Sequence, residues 1–449
     1  MELGVLSLEM DVPDMTSPSS DESTEVGSYF ISNYPPFSFW KSDHVPEALE
    51  LLGGVADKGA PLGLYLHIPF CRKRCKFCYF RVYTDKNSKE IERYVSALGR
   101  EVELYQEFPG IGGRPFKFVY FGGGTPSYLS AAQLRGLVDR LRDSIGWDDA
   151  DEVTFECEPG TLNQGKLEAI KEIGVTRLSL GVENFNDDIL EENGRAHRSP
   201  ECFETYGWSR ELGFDQINLD LISGMVGETE DNWKDCVRRA LELQPDCLTV
   251  YQMELPFNTI YSREGLGGTG AVANWETKRA WVEHAFGEFI AAGYHQSSAY
   301  TVVRDPGTRF VYRDALWEGA DMLGTGVASF GHFQGCHMQN VDGIEEYNTI
   351  LEAGKLPLGR ALPVTRRQLM IREFILQLKR GSVETAYFKE KFGLDVRDEF
   401  KAQLDRHQGA GHIKVGADGR ISLTPQGFLL ADSLLEPFFE EEHRDARYT

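Results

Sequence analysis

Positive charge is scarce in this chain. Its 449 residues include 47 Lys and Arg against 70 Asp and Glu, which gives a formal net charge of -23 at pH 7. Nucleic-acid binding depends on clustered Lys and Arg that neutralise phosphates, so this balance argues against nucleic acid as a partner. It favours solubility instead.

Long apolar runs are lacking as well. No stretch of the sequence approaches the roughly 20 apolar residues of a membrane-spanning helix, so no span is predicted. Residues 1–14 are acidic and have neither the basic start nor the apolar run of a signal peptide. We therefore expect a cytoplasmic protein whose thiols stay reduced. Apolar residues still make up 41% of the chain, enough for a sizeable core.

Three of the eight cysteines stand close together, with the spacing C-x3-C-x2-C: Cys71, Cys75 and Cys78. They follow an alternating apolar segment that predicts a strand, which Pro69 ends. Their odd number and short separations prevent all three from pairing as disulfides, whereas three thiolates on one loop can hold metal. The other five cysteines are predicted to be free buried thiols: Cys157, Cys202, Cys236, Cys247 and Cys336.

Two kinds of metal centre fit the cysteine triplet. Structural zinc takes four ligands, and His67 as the fourth would lie inside the predicted strand. The two-plus-two spacing of zinc ribbons is absent. We therefore favour a [4Fe-4S] cluster held by three thiolates, with one iron open to a non-protein ligand. A zinc-binding scaffold is the alternative.

From residue 62 onward, apolar strand-like runs alternate with helical patterns. This alternation predicts parallel strands joined by crossover helices. Six such units predict an α/β fold with a partial (β/α)6 barrel of the TIM type, whose chemistry lies at the carboxyl ends of the strands. The predicted strands are 62–70, 116–121, 152–157, 177–182, 216–222 and 247–253. The predicted helices are 89–105, 131–145, 164–173, 200–212, 232–243 and 278–292.

Polar or glycine-rich motifs follow the predicted strands. Gly122, Gly123 and Gly124 after the second strand predict a backbone that approaches a ligand closely with free N–H groups. A tight strand-to-helix turn is an equal alternative. Because several strands end in this way, we predict one shared cavity, lined by residues that include Glu156, Glu158, Glu183, Asn184, Asp220, Gln252 and Glu254.

The chain divides into five predicted parts. These are an acidic disordered tail at 1–28, an aromatic N-terminal arm at 29–60, the barrel at 61–305, a barrel extension and connecting segment at 306–364, and a C-terminal domain at 365–449. We expect the arm to pack as a strap, with a lid over a site as the alternative. The C-terminal domain has helices and then a hairpin, which resembles a winged helix. Its few clustered basic residues indicate a packing or capping role.

Together these motifs resemble the radical S-adenosylmethionine (SAM) superfamily, and within it the oxygen-independent coproporphyrinogen oxidase-like (HemN/HemW-like) family. The resemblance implies that a [4Fe-4S] cluster on Cys71, Cys75 and Cys78 binds SAM and cleaves it to a 5′-deoxyadenosyl radical. It also implies a small-molecule substrate and an electron donor such as flavodoxin or ferredoxin; we expect a monomer. The stretches that carry the resemblance are YLHIPF at 65–70, FGGGTPS at 121–127, RLSLGVENF at 177–185, LDLISG at 219–224 and LGTGVASFG at 323–331.

The resemblance also implies two SAM sites. The residues that match the first site are Tyr65, Gly123, Glu156 and Phe330. The residues that match the second site are Phe77, Gly124, Thr125, Glu183, Arg195, Asp220 and Glu254.

Three positions depart from the oxidase of this family. Phe80 stands where the oxidase has a further cysteine, Glu183 replaces a glutamine and Glu254 replaces a small apolar residue. These departures favour an enzyme that uses a second SAM as methyl donor to a large planar unsaturated substrate, such as a tetrapyrrole or a quinone. Oxygen-independent coproporphyrinogen III oxidation is the alternative. A haem chaperone is a further alternative, although Trp317 is the one residue here that matches the His-Asn-x-x-Tyr-Trp motif of those chaperones.

Overall fold

A computed structural model describes residues 32–54, 59–256, 258–265, 272–444 and 446. The predicted tail at 1–28 and the first three residues of the predicted arm lie outside them, and the five-part division stays a prediction. No helix within the described ranges is long and apolar enough to cross a membrane.

Twelve strands in the described chain form one sheet. They are β1 Leu62–Ile68, β2 Phe118–Gly123, β3 Glu152–Cys157, β4 Arg177–Glu183, β5 Gln216–Ser223, β6 Cys247–Gln252, β7 His295–Gln296, β8 Thr301–Val303, β9 Asp321–Thr325, β10 Phe330–Phe333, β11 Cys336–Asn340 and β12 Leu358–Pro363. Their order is β12-β11-β10-β9-β1-β2-β3-β4-β5-β6-β8-β7. Strands β9 and β1 to β6 are parallel, and the remaining pairs are antiparallel.

The predicted partial barrel of six βα units is confirmed. The helices of the barrel and its extension are α1 Val45–Gly53, α2 Ser88–Gln106, α3 Ala131–Ser144, α4 Gln164–Glu172, α5 Asp187–Glu192, α6 Ser199–Glu211, α7 Glu230–Leu243, α8 Ile260–Arg263, α9 Trp275–Ala291, α10 Val311–Trp317 and α11 Ile344–Glu352. Side-chain caps define several starts; Asn87 and Ser130, for example, form capping boxes at α2 and α3.

The sheet extends further than the sequence indicated. A seventh parallel strand, β9, pairs with β1 on the side away from β2, and β10 to β12 continue beyond it. The small-residue run at 323–331 contributes to this extension, because a side chain at Gly324 would collide with the carbonyl of Phe330. These short strands lack the long apolar runs that identify β1 to β6, so the sequence pattern missed them.

Side chains alternate between two faces along the parallel strands. Apolar side chains of the outer face form the main core with the helices; they include Leu64, Leu66, Val119, Phe155, Leu178, Leu219 and Val250. The inner face carries Tyr65, Tyr120, Glu156, Ser179, Asn218, Asp220 and Thr249. We call the space that this inner face encloses the lumen.

The C-terminal elements have the predicted winged-helix-like arrangement. They are α12 Arg366–Arg380, β13 Ser382–Glu384, α13 Thr385–Phe392, α14 Val396–Glu399, α15 Lys401–Gly409, β14 Ile413–Val415, β15 Arg420–Leu423 and α16 Pro425–Leu429. Strand β15 lies between β13 and β14 in a three-stranded sheet. The short β13 escaped prediction.

The aromatic arm packs as a strap. Tyr34 is fully buried in the core of the C-terminal elements, and Trp40 stacks on His337 with ring centroids 4.8 Å apart. Phe37 and Trp40 also contact the ring of Phe330 edge-on. The arm therefore joins the sheet extension to the C-terminal elements and supports Phe330 from outside.

Candidate active site

The cysteine triplet lies on the loop after β1, at the carboxyl ends of the parallel strands. Backbone hydrogen bonds fix the start of this loop, since the Cys71 amide donates to the Tyr83 carbonyl at 3.1 Å and the Tyr83 amide donates to Pro69 at 2.8 Å. The Lys76 amide donates to the carbonyl of Asn193, just after α5, at 3.0 Å. The loop is thereby held over the ends of β1 and β4.

The three thiols are free and electrostatically coupled. Burial, with a smaller contribution from Cys75, raises the pKa of Cys71 to about 11 and that of Cys78 to about 12. The Thr125 hydroxyl donates to the sulfur of Cys71 at 3.3 Å, and the Arg195 guanidinium donates to the sulfur of Cys75 at 3.4 Å. Two of the predicted SAM residues therefore touch the sulfurs directly.

The spacing of the sulfurs suits a cluster better than a single zinc ion. Four thiolates around zinc, with Zn–S distances of about 2.3 Å, would bring neighbouring sulfurs to about 3.8 Å. The sulfurs of Cys71, Cys75 and Cys78 do not all lie within 4.8 Å of one another. A four-iron cluster is wider than one ion, so these three side chains fit the implied [4Fe-4S] group.

The glycine loop after β2 packs against the cysteine loop. The amides of Gly124 and Thr125 donate to the carbonyls of Ile68 and Phe70, at 2.8 and 2.9 Å. The Gly123 amide donates to the Glu156 carboxylate at 3.2 Å. The prediction of free N–H groups is therefore wrong for Gly123 and Gly124, because the neighbouring loop and strand already use these amides.

Glycine is required at this turn by close packing. A Cβ on Gly124 would lie 2.9 Å from the Ile68 carbonyl oxygen, and Gly123 has a φ of +111°. An added side chain at Gly124 would push the segment that leads into the cysteine loop away from β2, and one at Gly123 would collide with the ring of His67.

Three carboxylates of the inner face lie together in the lumen. Burial, helped by the charge of Asp220, raises the pKa of Glu156 and of Glu183 to about 7. Burial also raises the pKa of Asp220, although hydrogen bonds from Ser179 at 2.7 Å and Asn218 at 2.9 Å oppose the shift. The structure thus brings the predicted residues Glu156, Glu183 and Asp220 into one acidic group.

Arg195 links this acidic group to the cysteine loop. It lies 3.6 Å from Glu183 and donates to the Gly181 carbonyl at 2.6 Å. Its Nε is buried without a hydrogen-bond partner among the described residues. Glu183 has a φ of +62°, a backbone conformation that costs a non-glycine residue about 1–2 kcal/mol.

Tyrosines line the same space. Tyr65 stacks on Tyr120 with ring centroids 5.7 Å apart. The ring of Tyr120 also packs against that of Tyr312 on α10, with centroids 4.3 Å apart. The Tyr120 hydroxyl donates to Glu156 at 2.6 Å. Burial raises the pKa of Tyr65 and Tyr120 well above the usual value, so both hydroxyls stay protonated donors.

A second carboxylate near β3 has different surroundings. Glu158 accepts two hydrogen bonds from Arg72 of the cysteine loop, at 2.8 and 3.2 Å, and lies 3.5 Å from His197. Burial alone would raise the pKa of Glu158, but His197, Arg72 and Arg195 outweigh it and lower this pKa to about 2. We call Arg72, Glu158 and His197 the loop anchor, since they tie the cysteine loop to the segments after β3 and β4.

Three of the predicted SAM residues lie at the edges of this site. Phe77 packs against the apolar group formed by Ile189, Met225 and Met253. Glu254 lies beside Lys278, in a cleft against the C-terminal segment. Phe330 lies under the aromatic arm, opposite Gly324.

The sequence reasoning missed several side chains that position the site: Tyr120, Ser179, Asn218, Arg72 and His197. Strand alternation could have predicted Tyr120, Ser179 and Asn218, because each lies two residues from another inner-face residue in a strand with alternating polarity. Arg72 and His197 had none, since their partner Glu158 is distant in sequence.

Comparison with known proteins agrees with this architecture. The model of the radical SAM superfamily matches residues 65–240. A solved structure of coproporphyrinogen III oxidase (HemN) from Escherichia coli, described as a radical SAM enzyme, superposes with a TM-score of 0.79, is 25% identical, and the match covers 91% of this chain and 97% of that one. These similarities support a place for the chain in the HemN/HemW-like radical SAM family.

Curated relatives within the HemN/HemW-like family carry two different names. The heme chaperone HemW of Bacillus subtilis is 29% identical over 379 residues, covering 84% of this chain and 99% of the relative. The oxygen-independent coproporphyrinogen III oxidase of Pseudomonas aeruginosa is 29% identical over 399 residues, covering 84% of this chain and 85% of the relative. Radical SAM proteins use a [4Fe-4S] cluster and SAM, and the cysteine loop described above fits that cluster.

Proposed function

We propose that this chain is a radical SAM enzyme that modifies a large planar unsaturated substrate, such as a tetrapyrrole or a quinone, with a second SAM as methyl donor. Cys71, Cys75 and Cys78 would hold the [4Fe-4S] cluster, and SAM would bind in the lumen. Together the cluster and SAM supply a 5′-deoxyadenosyl radical. The observation that carries the proposal is the group of under-neutralised carboxylates beside the cysteine loop.

The charge of the lumen suits a cationic ligand. SAM carries a sulfonium and an ammonium group against one carboxylate, so it is a net cation. Arg195 pairs with Glu183 at 3.6 Å, and the charges of Arg177 and Arg195 partly offset the raised pKa of Asp220. Glu156 has no ion pair among the described residues. A bound cation would lower the raised pKa values of Glu156 and Glu183 towards their usual range, and that relief stabilises the complex.

The residues of the chain have separable tasks in this proposal. Thr125 and Arg195 donate hydrogen bonds to the sulfurs of Cys71 and Cys75, which holds these sulfurs in place. Tyr120 and the Gly123 amide orient Glu156, whose carboxylate faces the lumen. Asp220, held by Ser179 and Asn218, can accept hydrogen bonds from ribose hydroxyls.

The acidic lumen favours methyl transfer over decarboxylation of a polycarboxylate. Coproporphyrinogen carries four carboxylates, which buried Glu156, Glu183 and Asp220 would repel. At Glu183 the family's oxidase has a neutral glutamine according to the resemblance, so the extra carboxylate here suits a second cationic SAM. Oxidative decarboxylation is the second candidate, and the high TM-score with the Escherichia coli oxidase supports it.

Product analysis tests the proposal. The cluster is reconstituted anaerobically, reduced, and supplied with SAM and protoporphyrin IX, iron protoporphyrin IX, coproporphyrinogen III or menadione in turn. We expect 5′-deoxyadenosine and S-adenosylhomocysteine together with a methylated product. Carbon dioxide from coproporphyrinogen without S-adenosylhomocysteine would favour the oxidase. Stable binding of iron protoporphyrin IX with no SAM cleavage would favour a chaperone.

A further inference from the structure

A large aromatic side chain is exposed at the end of β6, although its neighbours on this strand are buried. Tyr251 is 47% exposed, whereas Thr249 is 7% and Val250 is 2% exposed. Strand pairing aligns Asp220 of β5 with Thr249, and Ile222 with Tyr251. Tyr251 therefore lies on the inner face of the sheet, at its carboxyl end.

The surroundings of Tyr251 identify the space that it faces. Although Tyr251 is accessible to solvent, enclosure by the surrounding protein raises its pKa well above the usual value, and the charges of Asp220, Glu156 and Glu183 add to the shift. A side chain that is near three buried carboxylates and yet half exposed lines a cavity. Its ring borders the same lumen as the acidic group.

A second tyrosine backs the ring of Tyr251. Tyr300, which precedes β8, lies nearly parallel to it, with ring centroids 6.5 Å apart and an interplanar angle of 19°. The Tyr300 hydroxyl donates to Asp432, and the Lys379 ammonium lies 4.7 Å from the Tyr300 ring and 3.3 Å from Asp432. The C-terminal segment thus fixes the orientation of the ring that backs Tyr251.

The wall beside Tyr251 is apolar. Ile222, its partner on β5, packs with Phe77 and Leu255 against a small cluster that contains Met225 and Met253. The lumen therefore has an acidic side, at Glu156, Glu183 and Asp220, and an aromatic and apolar side at the ends of β5 and β6. The first side suits a cation and the second suits a flat apolar ring.

We infer that Tyr251, backed by Tyr300, is the platform on which the flat face of the unsaturated substrate lies. This inference rests on the proposed function, because it assigns the substrate to the aromatic and apolar side of the lumen, next to the acidic group. The contact needs the ring of Tyr251 and not its hydroxyl. The C-terminal segment takes part by holding Tyr300.

Binding of planar probes tests the platform. Protoporphyrin IX and menadione are titrated into the cluster-loaded protein, and quenching of fluorescence gives the affinity. We expect Tyr251→Ala to weaken binding of the preferred probe about tenfold, Tyr251→Phe to stay within about twofold of wild type, and Tyr300→Ala to show a smaller loss of about threefold. The probe whose binding weakens in Tyr251→Ala shows whether the substrate is a tetrapyrrole or a quinone.

The matched control is Ile290→Ala, which removes an equally exposed apolar side chain of α9. It should bind both probes as wild type does. Wild-type probe affinity in Tyr251→Ala would overturn the platform, and so would a loss of SAM affinity as large as the loss of probe affinity. If wild type binds neither probe but still releases 5′-deoxyadenosine, the platform is wrong and the radical function stands. If wild type binds a probe at Tyr251 and never cleaves SAM, the proposed function fails instead.

Discussion

Glu156 and Glu158 lie two residues apart and have opposite electrostatic roles. The carboxylate of Glu156 lies in the lumen, where burial raises its pKa to about 7. Glu158 belongs to the loop anchor, where His197, Arg72 and Arg195 outweigh burial and lower its pKa to about 2. The lumen leaves its carboxylates short of counter-charge, which suits a cationic ligand, whereas the anchor neutralises its carboxylate within the chain. The first arrangement serves binding and the second serves structure.

The largest expected effect concerns Cys75, which touches Arg195 between the two regions. Cys75→Ala should lose most of its iron and sulfide, and reductive SAM cleavage should fall at least ~100-fold, because two thiolates do not hold a [4Fe-4S] cluster. Iron analysis and 5′-deoxyadenosine release measure this. The control is Cys236→Ala, a buried free thiol on α7, which should keep its iron. Equal SAM cleavage in Cys75→Ala would remove the basis of the radical assignment.

Breaking the loop anchor should be the next largest effect. Glu158→Gln leaves Arg72 and His197 without their carboxylate, so we expect a several-fold lower cluster yield and a free energy of unfolding lower by ~1–3 kcal/mol, at the low end for a buried ion pair because Arg72 is about one third exposed. The fraction that does hold a cluster should bind SAM normally. Glu191→Gln removes an exposed ion pair with Arg198 and should change stability by less than ~0.5 kcal/mol. A Glu158→Gln protein with full cluster yield and weak SAM binding would reverse the two roles.

Changing a lumen carboxylate should weaken SAM binding and leave the cluster yield unchanged, the opposite of the loop-anchor variant. Glu183→Gln keeps the size of the side chain but removes a charge beside Arg195, so we expect weaker SAM binding by about tenfold, or ~1.4 kcal/mol. Iron content should equal that of wild type. Equilibrium binding of SAM and iron analysis on the same sample measure both. A collapse of iron content would mean that Glu183 supports the cysteine loop instead.

The pH dependence of stability should also differ between the two regions. The folded pKa of Glu156 lies above the unfolded value near 4.5, so the folded state holds this proton more tightly and stability falls as pH rises from about 4.5 to 7. The stability of Glu156→Gln relative to wild type should therefore increase between pH 5 and pH 8, by ~1–3 kcal/mol. Thermal unfolding of the ligand-free proteins at pH 5, 6.5 and 8 measures it.

Glu158 provides the comparison within that experiment. Its folded pKa lies below the unfolded value, so its stabilisation is complete above about pH 4.5 and is lost only as pH falls towards 2. The stability of Glu158→Gln relative to wild type should be constant from pH 6.5 to pH 8, above the range in which loss of Glu158 alters the titration of His197. Parallel pH profiles for the two variants would contradict the contrast between the regions.

Local patterns were sufficient to predict much of the fold. The six strands β1 to β6 and the helices between them follow from apolar periodicity, with ends displaced by a few residues. The cysteine spacing and the glycine loop carried the family resemblance, since both lie in short contiguous stretches. Strands β7 to β12 were missed, because they lack continuous apolar runs, and all of them except β9 pair only antiparallel, in stretches without a distinctive repeat.

The sequence by itself determined the barrel, the cysteine loop and the polar residues at the strand ends, because each depends on residues that are neighbours in the chain. Only the tertiary structure decided which carboxylates are neutralised. Arg72 lies 86 residues from Glu158, and alternation alone would have directed Glu156 and Glu158 to the same face. It also decided that Tyr251 is exposed in the lumen while the four residues before it on β6 are buried. Charge compensation and exposure depend on distant segments that meet only when the barrel has folded.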